Sequence, residues 1–70
     1  MYSEERFVKG VNKIIEDRGL KKKVVAEKAG IRPDKFSKIT NGKSRMFADE
    51  MANICDVLGM SVDEVMGIVQ

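Results

Sequence analysis

The 70 residues predict an all-α fold, a compact five-helix bundle, and three observations predict it. Apolar residues recur three and four positions apart along the whole chain, the period of helices that bury one face. Glycine and proline fall at the ends of those stretches, where helices stop and start. No stretch alternates strictly, as a half-buried strand would, and no repeat, linker or low-complexity tract breaks the pattern. The first helix places Phe7, Val11, Ile14 and Ile15 on one stripe, with Ser3 as N-cap and Gly19 as the stop after Arg18. Tyr2 is placed to pack on Phe7 as a hydrophobic staple. A short second helix spans about Lys21 to Lys28, with Val25, Ala26 and Ala29 apolar, until Gly30 interrupts. The third opens on Pro33, whose missing N–H has no helical partner at that position anyway. It buries Phe36 and Ile39 and ends at Asn41-Gly42. Lys43 to Met46 reads as a loop. The fourth helix, about Phe47 to Leu58, puts Phe47, Met51, Ile54 and Leu58 on one stripe and stops at Gly59. Ser61 and Glu64 form a capping box, with Met60 and Val65 spaced for its staple. The fifth helix carries Val62, Val65, Met66 and Val69.

Composition removes several function classes. A single cysteine forms no internal disulfide, so a secreted, disulfide-stapled mini-protein is excluded. One cysteine and no histidine also cannot supply the ligands of a structural zinc site, and no metal or cofactor is expected. Without imidazole there is no Ser-His or Cys-His nucleophile pair. The start MYSEERF has no signal-peptide apolar region, and no apolar run approaches the roughly 18 residues a membrane span needs. The expectation is a soluble, cytoplasmic single domain that is not an enzyme. A core this small rarely supplies more than roughly 3–5 kcal/mol, so a partner or self-association is expected too.

The net charge of +2 conceals a strong asymmetry. Residues 1–17 hold three basic and four acidic groups. Residues 18–45 hold ten basic groups against only Glu27 and Asp34, a local charge of +8. Residues 46–70 hold no base and five acids. Ordinary solvated faces mix the signs, so a basic middle this pure implies one cationic surface, with the acidic helices turned away from it.

The basic segment contains the most informative stretch, Lys22 to Ile39. Two helices of about eight residues joined at Gly30 make a helix-turn-helix spanning about 21–40. Ala26 is small where the two helices approach most closely, and Gly30 accepts the positive φ of the tight turn. Val25, Ala29, Ile31, Phe36 and Ile39 are expected to face a shared core. This stretch, with Ile14-Ile-Glu-Asp-Arg-Gly-Leu20, Ala26-Glu-Lys-Ala-Gly-Ile31, Ile39-Thr-Asn-Gly-Lys43 and Leu58-Gly-Met-Ser-Val-Asp-Glu-Val65, resembles the lambda-repressor-like, Cro/repressor-type DNA-binding domains of phage and bacterial regulators. The match covers most of the chain in family order.

The resemblance implies a recognition helix over about 33–40, with its N-terminal half in the major groove of double-stranded DNA. With Phe36 and Ile39 inward, the other face presents Asp34, Ser37, Lys38 and Asn41, with Lys35 at its edge. Asp34 and Lys38 fall where family members read bases: Lys donates to guanine O6 and N7, and Asp accepts from cytosine N4. Ser37 shares that face. Arg32 and Lys35 are placed for a base or a phosphate. Lys22 stands where the family has a phosphate-binding Gln, and Lys21 and Lys23 add charge around it. Asn41 and Lys43 match the phosphate-contacting loop after the recognition helix, and Arg45 joins them by proximity. Pro33 departs from the family, replacing a polar reader with an apolar one, and the lysines at 21–23 replace a polar cap. Both departures raise the non-specific electrostatic share of binding.

Structural roles compete at several of these positions. Asp34 also suits a helix dipole in the first turn, Ser37 simple exposure, and Lys21 and Lys23 diffuse charge. Cys55 and the methionines read as core residues. Asp49 with Glu50, and Asp63 with Glu64, read as first-turn acids rather than acid–base pairs, because adjacent helical residues diverge. The resemblance implies a transcriptional regulator, a phage- or mobile-element-type repressor bound to a near-palindromic operator as a homodimer. The alternative is a protein-interaction module, an antitoxin or adaptor, using the acidic C-terminal helices and their Val62, Val65, Met66, Val69 stripe. That stripe reads first as core, with Val69 the better candidate for a dimer contact.

Overall fold

Most of the helices begin or end at a device visible in the chain, though α2 starts at the uncapped Lys21 and α5 ends at Ile68 without a glycine stop. The computed structural model describes residues 3–69 and folds them into five α-helices. These are α1 (Glu4–Arg18), α2 (Lys22–Lys28), α3 (Pro33–Thr40), α4 (Ala48–Leu58) and α5 (Val62–Gly67). Among the described residues there is no strand. Ser3 Oγ accepts the Arg6 N–H at 3.3 Å and caps α1. The Ser61–Glu64 capping box is closed in both directions, at 3.2 Å from the Glu64 N–H and 3.0 Å from the Ser61 N–H. Val65 is buried and Met60 half-buried against the core, as the staple pattern expects. The staple expected of Tyr2 lies outside the described residues.

The core is continuous. Phe7, Val11, Ile14 and Ile15 of α1 join Val25 and Ala26 of α2, Phe36 and Ile39 of α3, Ile54 and Leu58 of α4, and Val65 and Met66 of α5. Phe7, Ala26, Phe36 and Val65 lose all their accessible surface. α1 packs on α5 and α3, α2 on α3 and α4, and α4 on α5. The radius of gyration is 10.6 Å, close to the about 11 Å expected for one folded unit of this length.

Two expectations about the core need correction. Glycine does not sit only at helix boundaries: Gly10 lies in the middle of α1 and is buried. A Cβ there would stand 2.1 Å from the Val65 carbonyl oxygen, so α1 and α5 cross at a spacing that only glycine permits. Phe47 does not belong to the buried stripe of α4. It precedes the helix at its N-cap and is 65% exposed, because the chain is still extended there and swings its ring outward.

Candidate nucleic-acid interface

α2, the turn at Gly30 and α3 form the expected helix-turn-helix. Gly30 adopts φ +70°, and the Ile31 N–H returns to the Ala26 carbonyl at 2.9 Å, closing the turn over the fully buried Ala26. Val25, Ala29, Ile31, Phe36 and Ile39 are all buried, as their spacing requires. Burial of those residues fixes which side chains of α3 remain outside. Arg32, Asp34, Ser37, Lys38 and Asn41 are exposed, and Lys35 is intermediate.

The described side chains are not equally free. Arg32 Nε lies 3.6 Å from Asp34 Oδ1, but both side chains are mostly in solvent, so the pair is weak and easily exchanged for another partner. Among the described residues the side chains of Lys38 and Ser37 have no partner, while the backbone carbonyl of Ser37 accepts from Thr40 Oγ1 at 3.1 Å. Lys22 Nζ donates to Thr40 Oγ1 at 3.2 Å, tying the start of α2 to the end of α3. Lys35 leaves the exposed face for α4, with its Nζ 2.7 Å from Glu50 Oε2. Lys21 and Lys23 are exposed, and Lys21 makes no cap to α2, in line with the missing polar cap in the sequence.

Asn41, Lys43 and Arg45 share one open cleft of about 580 Å³ with Glu4, Glu5, Lys9 and Asn12 of α1. The loop that carries them is fastened from α1: Glu4 Oε1 accepts the Met46 N–H at 2.9 Å. Asn12 Nδ2 donates to the Thr40 carbonyl at 2.8 Å, anchoring the C-terminal end of α3. Thr40 is thus the buried polar hub between α1, α2 and α3. Glu4, Asn12 and Thr40 escaped the sequence reading because their partners lie 28 to 42 residues away or are themselves unremarkable in type.

Besides Lys22, two more basic residues of the cationic segment are committed internally. Arg18 Nη1 donates to the Leu58 carbonyl at 2.9 Å, at the end of α4, and Lys35 is paired with Glu50. The acidic block does not turn wholly away either, since Glu50 meets α3 through that pair. Glu50 is held below the ordinary glutamate range: burial alone would raise it, but the Lys35 ammonium and the Phe47 N–H outweigh that. Burial pushes the Cys55 thiol up, consistent with a small core residue rather than a reactive thiolate. Among the described residues no His/Cys/Asp/Glu group gathers to hold a metal, and no helix is long and apolar enough to cross a membrane.

The family model of the Cro/C1-type HTH DNA-binding domain matches residues 11–70. The chain belongs to the Cro/C1-type DNA-binding domains. No curated protein and no solved structure matches it. Its all-helical bundle and its α2–turn–α3 unit are those of a Cro/C1-type domain. Membership makes it a DNA-binding domain.

Proposed function

We propose that this Cro/C1-type domain is a sequence-specific transcriptional regulator, a phage- or mobile-element-type repressor that acts in the cytoplasm and binds a near-palindromic operator as a homodimer. Residues 1–70 act as one DNA-binding domain, with α3 as its recognition helix. Asp34, Ser37, Lys38 and Arg32 meet base edges in the major groove. Lys21, Lys22, Lys23, Asn41, Lys43 and Arg45 meet phosphates and set the register. The observation that carries this reading is the coincidence of the family match with the exposed, cationic side chains of α2, α3 and the loop after it. Selection of bound duplexes from a random pool tests it and returns the motif, its symmetry and its half-site spacing together. Recovery of no common sequence, or binding indifferent to salt in an anisotropy titration, overturns it.

A second reading rests on the far end of the molecule. Ile68 is 38% exposed and Val69 half-buried beside an α5 that carries Asp63 and Glu64 and no base. An antitoxin or adaptor would offer this end to a protein partner. Sedimentation separates the two: a monomer without affinity for DNA favours the interaction module.

A further inference from the structure

Lys35 extends from α3, the helix proposed to enter the groove, yet its charge is spent on α4. Its Nζ lies 2.7 Å from Glu50 Oε2 and 4.6 Å from the centre of the Phe47 ring. The Glu50 side chain is only 13% exposed, and its other oxygen, Oε1, accepts the Phe47 N–H at 2.9 Å. One carboxylate therefore closes the first turn of α4 and holds α3 against it. Elsewhere α3 packs on α2 and α1, so this bridge supplies what the apolar core leaves sparse between α3 and α4. For Lys35 to reach DNA it would abandon both partners and leave Glu50 as an unpaired, largely covered anion beside phosphate, which is doubly unfavourable.

We infer that Lys35, Glu50 and Phe47 form a positioning clasp that sets the angle of α3, so that Lys35 reads no base and touches no phosphate. The inference rests on the DNA-binding reading above. Hydrogen bonds to base edges tolerate displacements of only about 0.5 Å, so a loosened α3 loses discrimination before it loses phosphate contacts. The sign of the Glu50 effect is distinctive. Removing an anion near DNA should by Coulomb's law strengthen every complex. Loosening a clasp should instead weaken the selected complex relative to a scrambled one.

The test titrates wild type, E50Q, K35Q and the double variant against a duplex enriched from a random pool and a scrambled duplex of equal composition. Glutamine still accepts the Phe47 N–H, so E50Q keeps the cap and removes only the charge pair. Circular dichroism confirms folding, and K35Q carries the test if E50Q does not fold. The expected result is a loss of about tenfold in preference for the enriched duplex in each single variant, worth about 1.4 kcal/mol. The double variant loses no more than either single one, and the salt slope of K35Q stays at the wild-type value. E50Q binding both duplexes more tightly with preference intact overturns the clasp. So does K35Q with a salt slope shallower by about 0.9, the mark of a phosphate contact, or with discrimination lost at one base pair whatever stands at position 50. A wild-type chain that enriches no sequence overturns the DNA-binding reading and the clasp together.

Discussion

Gly10 shows how much one hydrogen atom in place of a methyl can carry. On an exposed helix, Gly→Ala stabilises by roughly 1 kcal/mol, because alanine loses less backbone entropy. Here the added Cβ would stand 2.1 Å from the Val65 carbonyl oxygen and 2.8 Å from Val65 Cγ1. Overpacking against backbone forces the helices apart, so Gly10→Ala is expected to destabilise by about 3 kcal/mol or more in urea denaturation. Gly67, at the end of α5, has open space around it and is the control: Gly67→Ala is expected to be neutral or stabilising by about 0.5 kcal/mol. The isolated glycine inside a helical period was itself a signal of close packing, but nothing in the chain named Val65 as its partner. The exposed residues of α2 and α3 divide in a different way. Lys38→Ala is expected to remove about 1–3 kcal/mol of discrimination at one base pair, measured by binding to single-substitution duplexes. Lys22→Ala is expected to weaken all duplexes alike. Because Lys22 also bonds Thr40, it should lower the thermal midpoint slightly as well.

Most of the side-chain hydrogen bonds that join one element to another end at or near helix termini. α4 and α5 have no basic residue in their last turns to meet the exposed carbonyls. Two arginines of α1 do so from across the molecule. Arg18 Nη1 donates to the Leu58 carbonyl at 2.9 Å, and Arg6 Nη2 donates to the Met66 and Val69 carbonyls at 3.2 and 3.4 Å. The opposite ends are closed by carboxylates, Glu50 on α4 and Glu64 on α5. Glu64 is held below the ordinary range by the backbone N–H and hydroxyl of Ser61, and Glu50 by Lys35 and Phe47 against the opposing effect of burial. A carboxylate whose folded pKa is depressed adds stability that is present above its unfolded value, about 4.3. That stability is lost as pH falls through the folded value. The difference in thermal midpoint between wild type and E50Q or E64Q is therefore expected to be largest near about pH 6 and to shrink toward about pH 3. The capping box of α5 was legible because its two partners are three residues apart. The arginine contacts were not, because their carbonyls lie 40 to 63 residues away and carry no side-chain signature.

Across the molecule the decisive quantity is how many of the ten basic groups in residues 18–45 face DNA. All ten would give a salt slope of about −9 per chain, whereas the five phosphate candidates Lys21, Lys22, Lys23, Lys43 and Arg45 give about −4.5. The smaller slope is expected in an anisotropy titration against salt, because Arg18 and Lys35 already hold internal partners, Arg32 and Lys38 are assigned to base edges, and Lys28 at the end of α2 is assigned no phosphate. The five helices, their stops and their buried faces were set by local periodicity, capping and turn chemistry, which act over three or four residues and so are written in neighbouring positions. The helix-turn-helix was legible for the same reason: Ala26, Gly30 and the apolar residues around them lie within one short stretch. The sequence by itself also placed a strong positive charge in the middle of the chain. It could not say which of those charges were free, that Phe47 would turn outward, or that Gly10 would receive Val65. Those outcomes depend on which helix ends meet when the core closes, and contacts between residues far apart in the chain exist only once the bundle has folded.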